Sequence, residues 1–420
     1  MAAITIITPG ALGSNPRVVK EAEALARRGH RVHVQSTRSL DIVDRRDTAV
    51  LRHASFASGR LDLRTLPSWR LRRLLQIGAR YSFAALKLEA LAPWALSPIA
   101  PLLRHALWPT SPADLYIAHY VEALPAAAAL AARHGAAYAF DAEDFHLGEH
   151  SDGPGVDLLR QIQRTIESRY LPGAAYVTAA APLIAQAYAE TYAIALPTVI
   201  LNSFPRANAP STPTIAGSIR PGPSLYWFSQ TIGFGRGLKT AIRAIAEARS
   251  QPHLYLRGSP ARGFAEELKA VAAELGVAAR LHFLEPAMPD DLERLAAEFD
   301  LGYSGEEGVE INRQYALGNK IFSYFLGGVP CLASATAAHL ELASQLGDAM
   351  ATFPIGDAQA LSALIDSYLL TPSRLAKARQ DAWQLGQSRF NWELDAERLV
   401  ALVEEKLATH NARTSNRTAA

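Results

Sequence analysis

Two groups of charged and polar side chains in this sequence have types and spacings that could do chemistry. The first lies after the apolar run 299–303, in an acidic loop and at the predicted start of the helix that follows. Its members are Glu306, Glu307, Glu310, Asn319 and Lys320. A helix start offers free N–H groups and a positive dipole end to an anion, and carboxylates accept hydroxyl groups. The group suggests a phosphate and sugar site, although an ordinary βαβ unit with a solvated acidic loop would show the same pattern.

The second group lies just past the carboxyl ends of two predicted strands, 114–118 and 137–140. Its members are His119, Asp141, Glu143 and Asp144. In a doubly wound domain this edge of the sheet carries the binding residues. His119 could instead be a capping or core histidine. Together with His146 these carboxylates raise the question of a metal, but no ligand spacing here is typical of zinc, and we expect no metal site.

Two glycine-rich loops join a predicted strand to a predicted helix. In the first, Gly10 and Gly13 precede a helix with Asn15 as its N-cap and Pro16 as its first residue. In the second, a helix begins near Gly237. Such loops can hold a phosphate on backbone N–H groups, but they also open many α/β domains that bind nothing there.

Arg236 directly precedes the second of these helices. Its guanidinium could bind a diphosphate with two parallel hydrogen bonds, because the planar fork matches phosphate geometry. The alternative is a surface cation on a loop.

Short apolar runs alternate with amphipathic segments along the whole chain. The predicted strands are 3–8, 30–36, 114–118, 137–140, 174–178, 197–200, 224–228, 253–257, 280–284, 299–303, 329–333 and 350–353. The alternation predicts an α/β protein with two doubly wound, Rossmann-like parallel-sheet domains that face each other across a cleft. A length of 420 residues also favours two domains.

The domain boundaries follow from changes in composition. Residues 1–205 form the first domain, 206–222 are a linker rich in Pro, Ser, Thr and Gly, and 223–388 form the second domain. We expect a terminal helix over 389–412 that crosses back to the first domain, followed by a disordered tail over 413–420.

One segment of the first domain, 60–107, is strongly basic and has leucines and aromatic residues interleaved with its arginines. A basic amphipathic helix of this kind can lie on an anionic membrane surface. An insertion that packs on the domain and keeps a solvated basic face is the alternative.

Composition excludes several other classes. The formal net charge of +2 gives no reason to expect a nucleic-acid partner. The single cysteine, Cys331, excludes an intramolecular disulfide, and its apolar surroundings predict a core position. The sequence shows neither a secretory signal nor a long uncharged apolar span, so we expect a cytoplasmic protein.

Three stretches resemble retaining glycosyltransferases of the GT-B fold, of the family 4 kind. They are Asp300–Tyr303 with Asn319–Ser334, Asn15–Val32, and the two strand ends at His119 and Asp141–Asp144. The resemblance covers nearly the whole chain in order, but it has two departures. The family's paired glutamates fall on Tyr315 and Ser323, and its loop arginine falls on Gln230, while Arg236 stands where the family has lysine.

The resemblance implies a hexosyltransferase-type enzyme that moves a sugar from a nucleotide-diphosphate-sugar to a hydroxyl acceptor with retention of configuration, without a cofactor or obligatory metal. The acceptor would be a glycan, a lipid-linked molecule or a small molecule. The role would be in cell-surface polysaccharide or glycoconjugate synthesis. If the basic segment 60–107 contacts a membrane, the cytoplasmic protein would be peripheral on its inner face.

The resemblance also assigns roles to single residues. The catalytic set would be His119, Asp141, Glu143 and Glu307. The donor-binding set would be Gly10, Gly13, Arg236, Gly237, Glu310, Asn319 and Lys320. A sugar-nucleotide epimerase on the same architecture, or a non-catalytic relative that binds a sugar nucleotide or a partner enzyme, are the alternatives.

Overall fold

The structure, a computed structural model, describes residues 1–38, 41–64, 69–213 and 222–418. The chain divides into two compact units. The first comprises Met1–Ile200 with Ala396–Ala420, and the second comprises Leu201–Asp395. Most of the predicted linker, 214–221, lies outside the described residues.

The first unit is built on a seven-stranded parallel sheet with the order β3-β2-β1-β4-β5-β6-β7. Its strands are β1 (Ala3–Ile7), β2 (Arg31–Arg38), β3 (Ala57–Asp62), β4 (Leu115–His119), β5 (Ala137–Ala142), β6 (Val177–Ala179) and β7 (Thr198–Val199). The strand order reverses between β1 and β4, and such a switch point opens a crevice at the carboxyl edge of the sheet.

Helices connect these strands. They are α1 (Pro16–Arg27), α2 (Asp41–Leu51), α3 (Trp69–Leu86), α4 (Ala92–Leu96), α5 (Ile99–Leu107), α6 (Leu124–His134), α7 (Val156–Tyr170) and α8 (Pro182–Tyr192). The predicted cap of α1 is confirmed, since the side chain of Asn15 accepts a hydrogen bond from the N–H of Val18 and Pro16 is the first helical residue. The basic segment 60–107 folds mainly as α3, α4 and α5.

The second unit repeats the plan with a six-stranded parallel sheet of order β10-β9-β8-β11-β12-β13. Its strands are β8 (Ser224–Ile232), β9 (His253–Pro260), β10 (Leu281–Leu284), β11 (Leu301–Ser304), β12 (Cys331–Ser334) and β13 (Met350–Phe353). Its helices are α9 (Leu238–Glu247), α10 (Phe264–Glu274), α11 (Leu292–Ala296), α12 (Ile311–Tyr315), α13 (Asn319–Leu326), α14 (Ala337–Ala343), α15 (Ala358–Leu369) and α16 (Pro372–Ser388). The predicted fold class, two Rossmann-like parallel-sheet domains, is confirmed.

Polar contacts fix the two strands that flank the switch point of the second unit. The backbone N–H and the hydroxyl of Ser224, at the start of β8, both donate to Asp300 Oδ2, at 2.9 and 2.8 Å. Arg379 donates to the carbonyl of Ala297 at 3.0 Å and to that of Phe299. The start of β11 is therefore held in register with β8, and the acidic loop after β11 begins from a fixed point.

The structure adds elements that the sequence did not predict. They are α2, β3 and α12, which are short or polar and lack a clear apolar period. Cys331 is buried in β12, as predicted.

The terminal helix α17 (Trp392–Thr418) is longer than expected. It continues through 413–418, where the sequence predicts a disordered tail, and 419–420 lie outside the described residues. Its part from Ala396 onward groups with the first unit, where Arg28 pairs with Glu404 at 3.0 Å. In the part of the chain that the structure describes, no helix has the length and apolarity needed to cross a bilayer.

Gly302 in β11 allows close packing of Tyr324, and replacing it should destabilise the second unit. A Cβ atom at Gly302 would lie 2.5 Å from the Tyr324 ring, whose hydroxyl is held by the carbonyls of Tyr226 and Tyr303. We expect Gly302→Ala to lower the free energy of unfolding by about 1–3 kcal/mol, measured by urea titration. Gly78→Ala is the control, because a Cβ there meets nothing within 4 Å and the exchange favours helix α3. Equal stability of Gly302→Ala and the wild type would contradict this packing argument.

Candidate functional site

A buried ion pair anchors the polar cluster of the first unit. Arg17, on the inner side of α1, donates from Nε to Asp141 Oδ2 and from Nη2 to Asp141 Oδ1, each at 2.7 Å. Its Nη1 donates to the carbonyl of Ile200 at 2.8 Å, and the hydroxyl of Thr178 donates to Asp141 at 2.5 Å. Burial raises the pKa of Asp141, but the charge of Arg17 outweighs it and leaves the pKa well below its usual range. Asp141 is therefore a permanent carboxylate that ties α1 to the ends of β5 and β6.

His119 lies beside this pair, at the end of β4. Its Nε2 is 2.6 Å from Glu21 Oε2 and its Nδ1 is 3.3 Å from Asp141 Oδ2. Burial alone would lower the pKa of His119, but the carboxylates of Asp141 and Glu21 more than offset it and raise the pKa. Arg17 and Glu21, four residues apart on α1, thus brace two of the predicted site residues. His119 is only 1% exposed, so in this structure it is a buried member of the network and helps to hold Glu21 and Asp141 in position.

The residue after His119 has an unusual backbone. Tyr120 has φ +65°, the left-handed region that a side chain other than glycine seldom adopts. Its hydroxyl donates to Glu143 Oε2 at 3.4 Å. Burial raises the pKa of Glu143, with Arg17 opposing the shift. Strained residues of this kind persist where the surroundings fix them, and they cluster at functional sites.

His146 belongs to a separate buried cluster. Its Nδ1 lies 2.6 Å from the hydroxyl of Tyr188 and 3.1 Å from Glu167 Oε1. Burial lowers the pKa of His146, but the hydrogen bond and charge of Glu167 raise it to about 9. Among the described residues, no group of three or more His, Cys, Asp or Glu side chains is arranged to hold a metal ion.

The first glycine-rich loop is already occupied by a side chain of the protein. The N–H of Gly13 donates to Asp47 Oδ1 at 2.6 Å, and a Cβ at Gly13 would lie 2.5 Å from that of Arg46. The N–H of Gly10 donates to the hydroxyl of Thr8 at 3.2 Å. The predicted phosphate contact of Gly13 is therefore made, in this structure, by a carboxylate from α2.

In the second unit, Glu306 is the centre of the candidate site. Its Oε1 accepts from Nη1 of Arg236 at 2.5 Å, and its Oε2 accepts from Nη1 of Arg313 at 2.8 Å. Arg313 also donates from Nε to Glu310 at 2.9 Å. The hydroxyl of Ser334 accepts from the backbone N–H of Glu306 at 2.8 Å, which fixes the loop at the end of β12. Two guanidinium groups are thus held side by side, with Arg236 at the start of α9.

Lys320 adds a third cation near this pair. It is the second residue of α13, and its Nζ lies 5.3 Å from the ring centroid of Trp227. It makes no hydrogen bond or ion pair with another residue that the structure describes. Burial, and then the positive charge of Arg236, lower the pKa of Lys320 to about 8. A half-buried cation that has no carboxylate of the described residues in direct contact with it, and whose pKa the neighbouring charge of Arg236 lowers, is suited to receive an anion.

The remaining predicted residues surround these cations. Gly237, with φ +59°, is the N-cap of α9, and its carbonyl accepts from the hydroxyl of Tyr303 at 2.7 Å. Asn319 is exposed at the start of α13. Glu307 is exposed, and in the described part of the chain its side chain has no hydrogen-bond or ion-pair partner. Glu310, by contrast, is held by Arg313.

Ser323, where the resemblance expects a glutamate, is bonded to a carboxylate from another helix. Its hydroxyl donates to Glu293 Oε1 at 2.6 Å, and Asn208 donates to Glu293 Oε2 at 3.2 Å. Burial raises the pKa of Glu293. Both Ser323 and Glu293 are wholly buried, so this pair packs α11 against α13.

Sequence reasoning missed Arg313, Glu306 as the central carboxylate, and Asp47. No spacing signal marks Arg313, because it lies on the short helix α12 between two loops. Glu306 was recognised as part of the acidic loop, but spacing alone does not say which of two adjacent glutamates faces a cation.

The protonated form of His119 should stabilise the first unit in a defined pH range. Because its pKa is raised in the folded state, its stabilisation is complete below the unfolded pKa of about 6.5 and is lost as the pH rises through the folded value. We expect the urea midpoint of the wild type to fall more between about pH 6 and about pH 9 than that of His119→Gln. The exposed His53→Gln serves as control. An equal decrease in the wild type and His119→Gln would contradict the assignment.

Comparison with known proteins identifies the fold. No family model and no curated protein matches the sequence. The structure of Anabaena Alr3699/HepE, solved with UDP and glucose, matches with a TM-score of 0.73 at 17% identity and covers 96% of this chain and 100% of that one.

Two further structures agree with this match. Sucrose-phosphate synthase from Thermosynechococcus elongatus has a TM-score of 0.70 at 15% identity and covers 97% and 100% of the two chains. WaaG, a glycosyltransferase involved in lipopolysaccharide biosynthesis, has a TM-score of 0.62 at 13% identity and covers 95% and 99%. This chain therefore has the fold of the GT-B glycosyltransferases, built from two Rossmann-like parallel-sheet units.

Proposed function

We propose that this protein is a glycosyltransferase that takes a sugar from a nucleotide-diphosphate-sugar and transfers it to a hydroxyl acceptor. The observation that carries the proposal is the grouping of Arg236, Arg313 and Lys320 beside the start of α9 and α13. Transfer leaves a nucleoside diphosphate, which gains negative charge as the sugar bond breaks. Fixed cations and helix N-termini stabilise such charge without reorganising.

Arg313 supplies a second guanidinium to this site. Gln230, which stands where the family has an arginine, carries no charge. The Nη2 of Arg313 lies 3.9 Å from the position of a Cβ on Gly235, in the loop before α9, and this side chain shares Glu306 with Arg236. The two guanidiniums reach the diphosphate from α12 and from the glycine-rich loop, and Lys320 reaches it from α13. Gly237 and Asn319 contribute free N–H groups at the two helix starts.

The carboxylates next to these cations serve the donor sugar. Glu307, exposed and without a partner among the described residues, accepts hydrogen bonds from sugar hydroxyls. Glu310 orients Arg313 and contributes in the same way. In the first unit, Gly10 and Gly13 offer backbone N–H groups to an anion once Asp47 releases the amide of Gly13.

The acceptor is oriented by the first unit. We assign His119, Asp141 and Glu143 to the acceptor side, where the buried network with Arg17 and Glu21 fixes their geometry. A hydroxyl held in a near-attack position reacts as part of a unimolecular step, which accounts for much of the rate.

The finer assignment follows the resemblance to family 4. We infer retention of configuration, a hexosyl donor, no obligatory metal, and a role in cell-surface polysaccharide or glycoconjugate synthesis. The Anabaena protein, solved in complexes with UDP and with UDP-glucose, makes UDP-glucose the first donor to test.

Removing one of the three cations should weaken the binding of the diphosphate and leave the affinity for the nucleoside alone unchanged. We expect Arg236→Ala, Arg313→Ala and Lys320→Ala each to weaken UDP binding by about 10- to 100-fold, since hydrogen bonds to charged groups contribute about 1.5–3 kcal/mol. Uridine binding should stay the same. Calorimetric titration with both ligands measures this, after a thermal-shift panel of UDP-, GDP- and ADP-sugars has chosen the donor. Lys239→Ala is the matched control, because Lys239 is a cation in the first turn of α9 that is already paired with Glu267.

Turnover decides between the proposal and its rivals. Transfer of sugar to an acceptor, with release of nucleoside diphosphate and an unchanged anomeric configuration by NMR, supports it. An isomerised sugar nucleotide would instead indicate an epimerase, and donor binding without turnover a non-catalytic relative. Failure of every nucleotide sugar to bind overturns the proposal.

Donor affinity should also depend on pH through Lys320. Its pKa of about 8 in the free protein means that it loses its charge as the pH rises through that value. We expect UDP affinity to decrease between about pH 7 and about pH 9.5 in the wild type and to stay nearly flat in Lys320→Met. A slope that persists in Lys320→Met would assign the titration to another group.

A further inference from the structure

The outer face of helix α3 carries a row of apolar side chains that no described residue covers. Leu71, Leu74, Leu75, Ile77 and Tyr81 are 57%, 64%, 50%, 48% and 74% exposed. At 100° per residue they fall on one side of the helix, which Leu86 and Leu88 extend at its end. Single exposed apolar residues are ordinary, but a contiguous row of this length marks an interaction surface.

The opposite face holds α3 firmly to the first unit. Ala79 and Phe83 are buried there. Gln76 Nε2 donates to the carbonyl of Leu96 at 2.8 Å, and Arg80 Nε donates to that of Ala95 at 2.8 Å. Because these polar contacts fix the rotation of the helix about its axis, the exposed row is a stable feature of the folded unit.

The charge around this row is positive on balance, although the exposed Glu89 directly follows Leu88. Helix α3 contains no acidic residue. Arg70, Arg73 and Lys87 are exposed and, among the described residues, have no ion-pair partner. The nearest acid before the helix in the sequence, Asp62, is already paired with Arg38 and Arg64.

We propose that the outer face of α3 docks on the surface of an anionic lipid bilayer. Its leucines and Tyr81 enter the boundary between headgroups and acyl chains, while Arg70, Arg73 and Lys87 contact lipid phosphates. Buried apolar area and attraction to anionic lipid act together in such interfacial helices. A second copy of this chain fits less well, because the same three cations would face each other. This docking does not depend on sugar transfer.

Vesicle flotation tests the proposal with the full-length protein. We expect binding to vesicles of phosphatidylcholine with about one-third phosphatidylglycerol, and much weaker binding to phosphatidylcholine alone. Arg70→Gln/Arg73→Gln should weaken binding about 25-fold, since each cation near the surface contributes about fivefold. Leu74→Glu/Tyr81→Glu should abolish it. Leu340→Glu, at a 50% exposed leucine of α14, should bind as the wild type does.

Several results would overturn the docking. Absence of binding to anionic vesicles, equal binding to both compositions, or unchanged binding of both double variants would each do so. A wild-type dimer that Leu74→Glu/Tyr81→Glu converts to a monomer, together with no vesicle binding, would make the face a subunit contact instead. An unchanged melting temperature and an unchanged UDP affinity in each variant show that the fold and the donor site are intact. The docking of α3 and the proposed sugar transfer can therefore fail independently of each other.

Discussion

A single carboxylate, that of Glu306, organises the candidate site of the second unit. Three cations brought together without it would repel one another and shift toward solvent. Glu306 holds two of them through one hydrogen bond each and offsets part of their charge, and its own backbone is held by Ser334. The guanidiniums are thereby oriented before any ligand arrives, which is the arrangement that electrostatic stabilisation of a leaving group requires.

The first unit uses the same device in a buried form. The pair of Arg17 and Asp141 is 3% exposed on each side, and it links α1 to the ends of β5 and β6 and, through His119 and Glu21, to β4. A buried pair of this kind is a costly way to gain stability, because desolvation offsets much of the attraction. Its effect lies in geometry, since it fixes where the side chains at the switch point of the sheet are placed.

The sequence predicted the fold well because parallel strands are buried on both faces and therefore appear as continuous apolar runs. It failed for β3, an edge strand with the polar sequence ASGRLD, and for α2, whose charged residues hide its period. For the candidate site it singled out Arg236, Lys320, His119 and Asp141, each next to the end of a strand or the start of a helix. It missed Arg313 and did not choose Glu306, because the path of a loop decides which of its residues meet, and spacing along the chain does not record that path.

The carboxylate of Asp47 on the amide of Gly13 makes the first glycine-rich loop a competitive site. An incoming anion and Asp47 seek the same N–H, and only molecules in which α2 has released it can accept the anion there. The apparent affinity of the loop is then the intrinsic affinity multiplied by the fraction of released molecules. The position of α2, rather than the glycines themselves, would set how much this loop adds to ligand binding.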